Sequence, residues 1–281
     1  MFKILTDSTA DLPPSLHGHP RIEIIPLKVV TPQKTYLDRV DLDTKQFLNL
    51  LKTSTTLPTT SQPSAGEFQA KYQSMLDSGA DGILSIHISS KLSGTMSSTH
   101  SAMEEMPGAP ITMFDSLSTS IGLGMMVQQA IKALDAGESV AEVVKMLGVM
   151  REQMTIGFVV DTLEYLHKGG RIGKAAALMG TLLNVKPVLT LTEGAIEPLD
   201  KARSKRKGLE RTMNYIEEKI GTGCAIAVGI AQLEAREDAE SVRKTMSERF
   251  TCADAFIAEL SPVIGTHTGP GVVGIAGCPM P

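Results

Sequence analysis

The first half of this chain has a rhythm that few folds accommodate. Short apolar runs, each ending in small polar residues, alternate with segments of helical spacing. Phe2 to Thr6 runs into Asp7-Ser8-Thr9, and Arg21 to Val30 reads as one or two strands broken at Pro26. Gly82 to His87 and Ile111 to Phe114 are further strand candidates. Between and after them, Leu42 to Lys52, Ser64 to Leu76, Gly94 to Met106 and Ser120 to Leu134 have the length and spacing of helices. Strands that alternate with helices of this length predict an α/β fold with a parallel sheet covered on both faces. Ligands of such sheets collect at the carboxyl ends of the strands.

A second helix follows Ala136-Gly137-Glu138-Ser139 and runs to about Glu152, after which the pattern changes. Thr155 to Val160 opens a new set of strands, and Val185 to Leu191 and Ala195 to Leu199 flank the hairpin signal Thr192-Glu193-Gly194. Ala225 to Ala231 and Ala255 to Leu260 are strands around a helix at about Ala235 to Arg249. We therefore expect two domains: a parallel-sheet α/β domain over 1–152 and a mixed-sheet α/β domain over 153–281.

Composition narrows the function classes. With 281 residues and a net charge of −4 the chain lacks the basic excess of a nucleic-acid binder. No apolar run approaches a membrane span, and Met1 to Asp7 lacks the apolar stretch of a secretory signal. Cys224, Cys252 and Cys278 are widely spaced and form no C-x-x-C pair, which predicts reduced thiols in a cytoplasmic protein and no zinc site. Fifteen Met and no Trp leave two uses for methionine: gap-filling in a core, or lining a pocket for varied apolar shapes.

Two local stretches suit an anion. Ser64 and Glu67 form a capping box, so a helix begins there, with the hydroxyls of Thr60 and Ser61 just ahead of it. Ser93 and Gly94 repeat the arrangement after the strand ending at His87; Gly94 would let a ligand approach the backbone. Free N–H groups and partial positive charge at helix starts favour an anion there, although caps also occur with no ligand. Near the C-terminus, His267 lies among glycines in Gly265-Thr266-His267-Thr268-Gly269-Pro270-Gly271, either as a loop histidine able to reach a ligand or as part of a surface turn. Gly269, Gly271 and Gly274 also match G-x-G-x-x-G, but Pro270 interrupts it and no βαβ unit follows.

Charge is unevenly distributed. Between Lys168 and Lys207 nine cations face Glu193, Glu197 and Asp200, a net +6 in an acidic chain. That predicts either a solvated basic face or a docking surface for an acidic partner or phosphate. Nucleophile-elbow, P-loop and H-E-x-x-H motifs are absent. Asp7, Asp115 and Asp161 follow strands, where Asp is most often a turn or cap residue.

These segments, taken in order, resemble the DegV family. The resemblance rests on Thr6-Asp7-Ser8-Thr9-Ala10-Asp11-Leu12-Pro13, Ile25-Pro26-Leu27, Thr60-Ser61-Gln62-Pro63-Ser64, Ser93-Gly94-Thr95, Phe114-Asp115-Ser116, Gly169-Gly170-Arg171-Ile172, Lys186-Pro187 and His267-Thr268-Gly269-Pro270-Gly271. It implies a two-domain α/β fold with one long-chain fatty acid buried between the domains. It further implies a carboxylate held by Thr60, Ser61, Ser93, Gly94 and His267, and no other cofactor. The carrier would be non-catalytic and would present its lipid to a separate fatty acid kinase for acyl-phosphate formation, with Arg171 and Arg203 as docking candidates. Two readings compete with it. One is a phosphotransferase-like α/β enzyme that uses Asp7, Asp115 or His267 on a small phosphorylated substrate. The other is a protein-interaction module built on the basic segment.

Overall fold

A computed structural model describes residues 1–180 and 185–280. It divides into two compact units, Met1–Arg151 with Ser261–Val263, and Glu152–Leu260 with Ile264–Pro281.

The first unit contains β1 (Phe2–Asp7), β2 (Ile22–Ile25), β3 (Lys28–Val30), β4 (Thr35–Leu37), α1 (Thr44–Thr53), β5 (Thr59–Ser61), α2 (Ala65–Asp77), β6 (Gly82–His87), α3 (Thr95–Glu104), β7 (Ile111–Asp115), α4 (Ser120–Asp135) and most of α5 (Val140–Gln153). Its main sheet has the order β2-β1-β6-β7, with every pair parallel. All six residues of β6 are buried, as a central strand covered on both faces requires. Leu5, Ile25 and Ile83 pack with Phe68, Tyr72 and Met75 of α2. α4 is buried almost all round, and a methyl group on Gly124 would lie 2.4 Å from the carbonyl oxygen of Asp11, so only glycine fits there. Met75, Met125 and Met126 are core residues, each at most 2% exposed.

Pro26 ends β2, and the chain then enters a different, antiparallel sheet of order β4-β3-β5. This small sheet was not expected. It places Thr60 and Ser61 on a strand, opposite Val29 and Lys28, instead of in a loose Thr-rich loop.

The second unit contains β8 (Thr155–Val159), α6 (Glu164–Lys168), β9 (Lys186–Thr192), β10 (Ala195–Ala202), α7 (Lys205–Ile220), β11 (Ala225–Gln232), α8 (Arg236–Arg249), β12 (Thr251–Glu259), α9 (Pro262–Thr268) and β13 (Val273–Pro279). The first turn of α9 belongs to the first unit. Its sheet, in the order β10-β9-β8-β13-β11-β12, is mixed: only β11 and β12 run parallel. Leu209, Met213 and Ile216 of α7 and Val242 and Met246 of α8 fill the core against it. Glu193 and Gly194 make the hairpin turn with φ of 49° and 79°, the left-handed pair that a two-residue connection demands.

Candidate functional site

The two helix-opening segments of the first unit meet. Ser64 caps α2: its hydroxyl accepts from the Glu67 N–H at 3.2 Å, and the Glu67 carboxylate accepts from the Ser64 N–H at 2.8 Å. Lys28 on β3 adds an ion pair to Glu67 at 2.7 Å, tying the small sheet to the helix start. The chain leaving β6 is folded tightly on itself. Ser89 Oγ accepts from Lys91 N–H at 3.1 Å, and Ser93 Oγ accepts from Thr95 N–H at 3.3 Å and lies 2.8 Å from Thr95 Oγ1. Gly94, the N-cap of α3, has φ −74°, so its backbone does not demand glycine. Its surroundings show what lies against it. A methyl group there would lie 2.6 Å from Nε2 of Gln62. What approaches this glycine in the structure is thus the side chain of the first segment. Thr60, Ser61, Ser93 and Gly94 are all half-buried around this contact.

Behind these segments lies a buried polar chain that local sequence did not reveal. Asp7 Oδ1 accepts from Thr9 N–H at 3.0 Å and from Thr9 Oγ1 at 2.5 Å. Its Oδ2 accepts from His87 Nδ1 at 3.0 Å and from Ile88 N–H at 2.9 Å. His87 Nε2 lies 2.7 Å from Ser85 Oγ, which lies 2.7 Å from Tyr72 Oη. The order Asp–His–Ser imitates a nucleophile triad. Ser85, His87 and Asp7 are nevertheless fully buried, and Ser85 is shared with a tyrosine that burial holds protonated, pushed up to about 12. That hydroxyl is sealed from solvent, and the network positions backbone: through Ile88 N–H it fixes the point where β6 gives way to the Ser89–Gly94 segment. Asp115 has a similar, lesser task, accepting from Ser90 and Leu117 N–H at 3.3 and 3.1 Å.

A second pair of buried carboxylates sits in the same unit. Asp11 accepts from Arg39 Nη2 and Ser120 Oγ, each at 2.5 Å, and from Ser261 N–H at 3.2 Å. Arg39 and Ser120 both hold left-handed backbone, with φ of 61° and 53°. Such strain costs on the order of 1–2 kcal/mol per residue and persists because the shared carboxylate fixes both donors. Asp38 accepts from Val263 N–H at 3.3 Å, while its Oδ2 has no donor among the described residues.

In the second unit the remaining distinctive segments converge. His267 is not on a loop; it lies in the last turn of α9. The surrounding glycines serve packing. A methyl group on Gly169 would lie 2.1 Å from His267 Nδ1, one on Gly269 2.3 Å from the Tyr165 ring, and one on Gly271 2.3 Å from the Asp161 carboxylate. Gly269 and Gly271 also hold φ of 71° and 84°. The charge on His267 is not set by a neighbouring carboxylate. Burial, with the Arg171 guanidinium beside it, pushes the imidazole down to about 4, so it is neutral near pH 7. Arg171 is half-buried, with Nη1 donating to the Gly169 carbonyl at 2.8 Å. It therefore sits at the His267 cluster and is not simply a surface cation.

The basic segment is partly neutralised. Lys168, Lys174, Lys186 and Lys205 pair with Glu164, Glu197, Asp161 and Asp238 at 2.5–2.8 Å. Arg203, Arg206 and Lys207 remain exposed around the start of α7. Residues 181–184, inside this segment, lie outside the described residues. Among the described residues no cluster of three His, Cys, Asp or Glu is arranged to hold a metal, and no helix is long and apolar enough to cross a membrane.

Known proteins share this fold. A DegV-family protein of Thermus thermophilus, whose structure is described as fatty acid binding, is 36% identical and superposes with a TM-score of 0.94, covering 99% of each chain. DegV of Bacillus subtilis, described as a fatty acid binding protein, is 33% identical with a TM-score of 0.89, again over 99% of each chain. A DegV domain-containing protein of Staphylococcus aureus is 35% identical over 272 residues, 97% of this chain and 96% of its own. Residues 1–279 match the family model described as an uncharacterised protein of the DegV family, and the chain belongs to that family.

Proposed function

We propose that this protein is a carrier of one long-chain fatty acid, with the carboxylate held in the first unit by Thr60, Ser61, Ser93 and the Gly94 N–H. His267 is a further residue proposed for ligand binding. The observation that carries this reading is the Gln62–Gly94 contact, which brings two hydroxyl-bearing segments together at the start of α3. The fatty acid binding described for relatives supports the choice of ligand. The neutral imidazole of His267 offers one N–H to a carboxylate without an ion pair. Burial of each CH₂ contributes about 0.8 kcal/mol, so roughly 15 methylenes would supply about 12 kcal/mol before the cost of association. The polar anchor then needs only to orient the chain. All three cysteines are free thiols, which fits a carrier working in the reducing cytoplasm.

Organic extraction of freshly purified protein, followed by mass spectrometry, is expected to yield about one fatty acid per chain. Ser93→Ala should weaken uptake of a fluorescent fatty acid by about tenfold or more, the worth of one charge-assisted bond. Thr60→Ala and His267→Ala should weaken it too, with little change in folding. Protein that carries no lipid and takes none up refutes the reading. Normal uptake by all three variants moves the anchor elsewhere.

We further propose that the carrier presents its lipid to a separate kinase for acyl-phosphate formation. Arg203 is the better docking residue, being exposed where Arg206 and Lys207 reinforce it. Arg171 is the weaker candidate because its guanidinium is engaged beside His267. In a reconstituted assay, Arg203→Glu should leave lipid uptake intact and reduce acyl-phosphate formation, and the parent complex should weaken with added salt. Undiminished acyl-phosphate formation by Arg203→Glu would remove this residue from the partner face.

A further inference from the structure

We infer that Gln62 is the head-group reader of the proposed fatty-acid site: its side-chain amide donates to the carboxylate and spans the two hydroxyl-bearing segments. The inference rests on the fatty-acid reading and adds a residue to it.

Two features of Gln62 point this way. First, its amide end lies over Gly94, with Nε2 2.6 Å and Cδ 3.0 Å from where a methyl group on that residue would be. The side chain therefore reaches from the end of β5, where it follows Ser61, to the N-cap of α3, beside Ser93. Second, the hydroxyls next to it are already engaged. Ser93 is bonded to Thr95, and Ser64 to Glu67. An amide carries two N–H donors and one carbonyl acceptor. Held against a glycine between two hydroxyl segments, its donors suit an acceptor-only group such as a carboxylate. A neutral donor also binds an anion without the desolvation cost of a buried cation.

The position is favourable for testing. Gln62 is exposed, so substitutions there should not disturb the core. Gln62→Glu keeps the length and replaces the donors by a negative charge. Gly94→Ala acts from the other side, because its new methyl meets only the flexible end of Gln62 and pushes the amide away.

The experiment measures binding of a long-chain fatty acid, and of the fatty alcohol of the same chain length, to the parent, Gln62→Glu, Gln62→Ala, Gly94→Ala and the Gln62→Ala/Gly94→Ala double variant at pH 8. The parent should prefer the acid. Gln62→Glu should weaken the acid by more than tenfold and leave the alcohol nearly unchanged, with an unaltered thermal midpoint. Gly94→Ala should weaken the acid too, and in the double variant it should add little beyond Gln62→Ala, because both changes remove the same contact. A merely structural role would move acid and alcohol together. A parent that binds the acid, with Gln62→Glu keeping the parent's acid-to-alcohol ratio, overturns this inference alone. A parent that binds neither ligand overturns the fatty-acid reading and this inference with it.

Discussion

Asp7→Ala will destabilise the protein by about 3–5 kcal/mol, the usual result of removing one partner from a buried ion pair or network. The size follows from what the carboxylate does. It accepts four bonds, from Thr9 N–H, Thr9 Oγ1, His87 Nδ1 and Ile88 N–H. Each buried donor left unsatisfied costs about 1–3 kcal/mol. Asp7→Asn should lose less, because it keeps one oxygen and the shape, yet it sets an amide N–H₂ against donors. Asp115→Ala should lose least, since that carboxylate is half-buried and accepts two longer bonds. Urea unfolding followed by circular dichroism at constant pH ranks the three. If Asp7→Ala stays within 1 kcal/mol of Asp115→Ala, the buried network is not what fixes the exit of β6.

The Asp7 network also marks where sequence reasoning runs out. The Ser64–Glu67 capping box and the apolar run Gly82 to His87 were legible because their partners are local or because burial on both faces leaves a continuous apolar signature. His87, 80 residues from Asp7, was visible only as the end of that strand. α7 is hard to read from sequence although Leu209, Met213 and Ile216 carry helical spacing, because its many charges lower its apolar signal. β13 was hidden by its small residues. A methyl group on Gly277 would lie 2.9 Å from Ile216, so the strand carries a glycine where the helix presses on the sheet. Gly265, Gly269 and Pro270 look like breakers and suggest a loop at His267, whereas α9 includes Gly265 and ends just before Gly269. In the anchor, hydroxyls and helix starts were readable one segment at a time. The meeting of Gln62 with Gly94 depends on how β5 and α3 are placed by the sheets, and no local pattern encodes it.

Asp38→Asn will gain stability relative to the parent protein as pH rises from about 4 to 7, because it removes a contribution that falls over that window. Asp38 is 1% exposed. Burial pushes its carboxyl up to about 7, against the Ser8 hydroxyl, the Arg39 charge and the Val263 N–H, and the nearby Asp11 pushes it further. Burial raises Asp11 as well, but Arg39 and Ser120 donate directly to Asp11, which leaves Asp38 as the member of the pair that keeps its proton. The direction is fixed by linkage. Below the ordinary value of 3.8 both folded and unfolded chains hold the proton, and this group adds no pH dependence. Above it the unfolded chain ionises first, so the folded state is penalised progressively until it ionises near 7. About three pH units at about 1.4 kcal/mol each give a loss on the order of 4 kcal/mol, complete by about pH 8. Asn keeps the oxygen that accepts from Val263 N–H and cannot ionise, so the variant should gain on the parent steadily across this window; the opposite contribution of His267, which rises with pH, is common to both proteins and cancels in the difference. Urea midpoints measured at pH 5, 6, 7 and 8 for both proteins test this. An Asn variant that follows the parent's slope would show that Asp38 is ionised in the folded protein and that Ser8, Arg39 and Val263 together outweigh its burial.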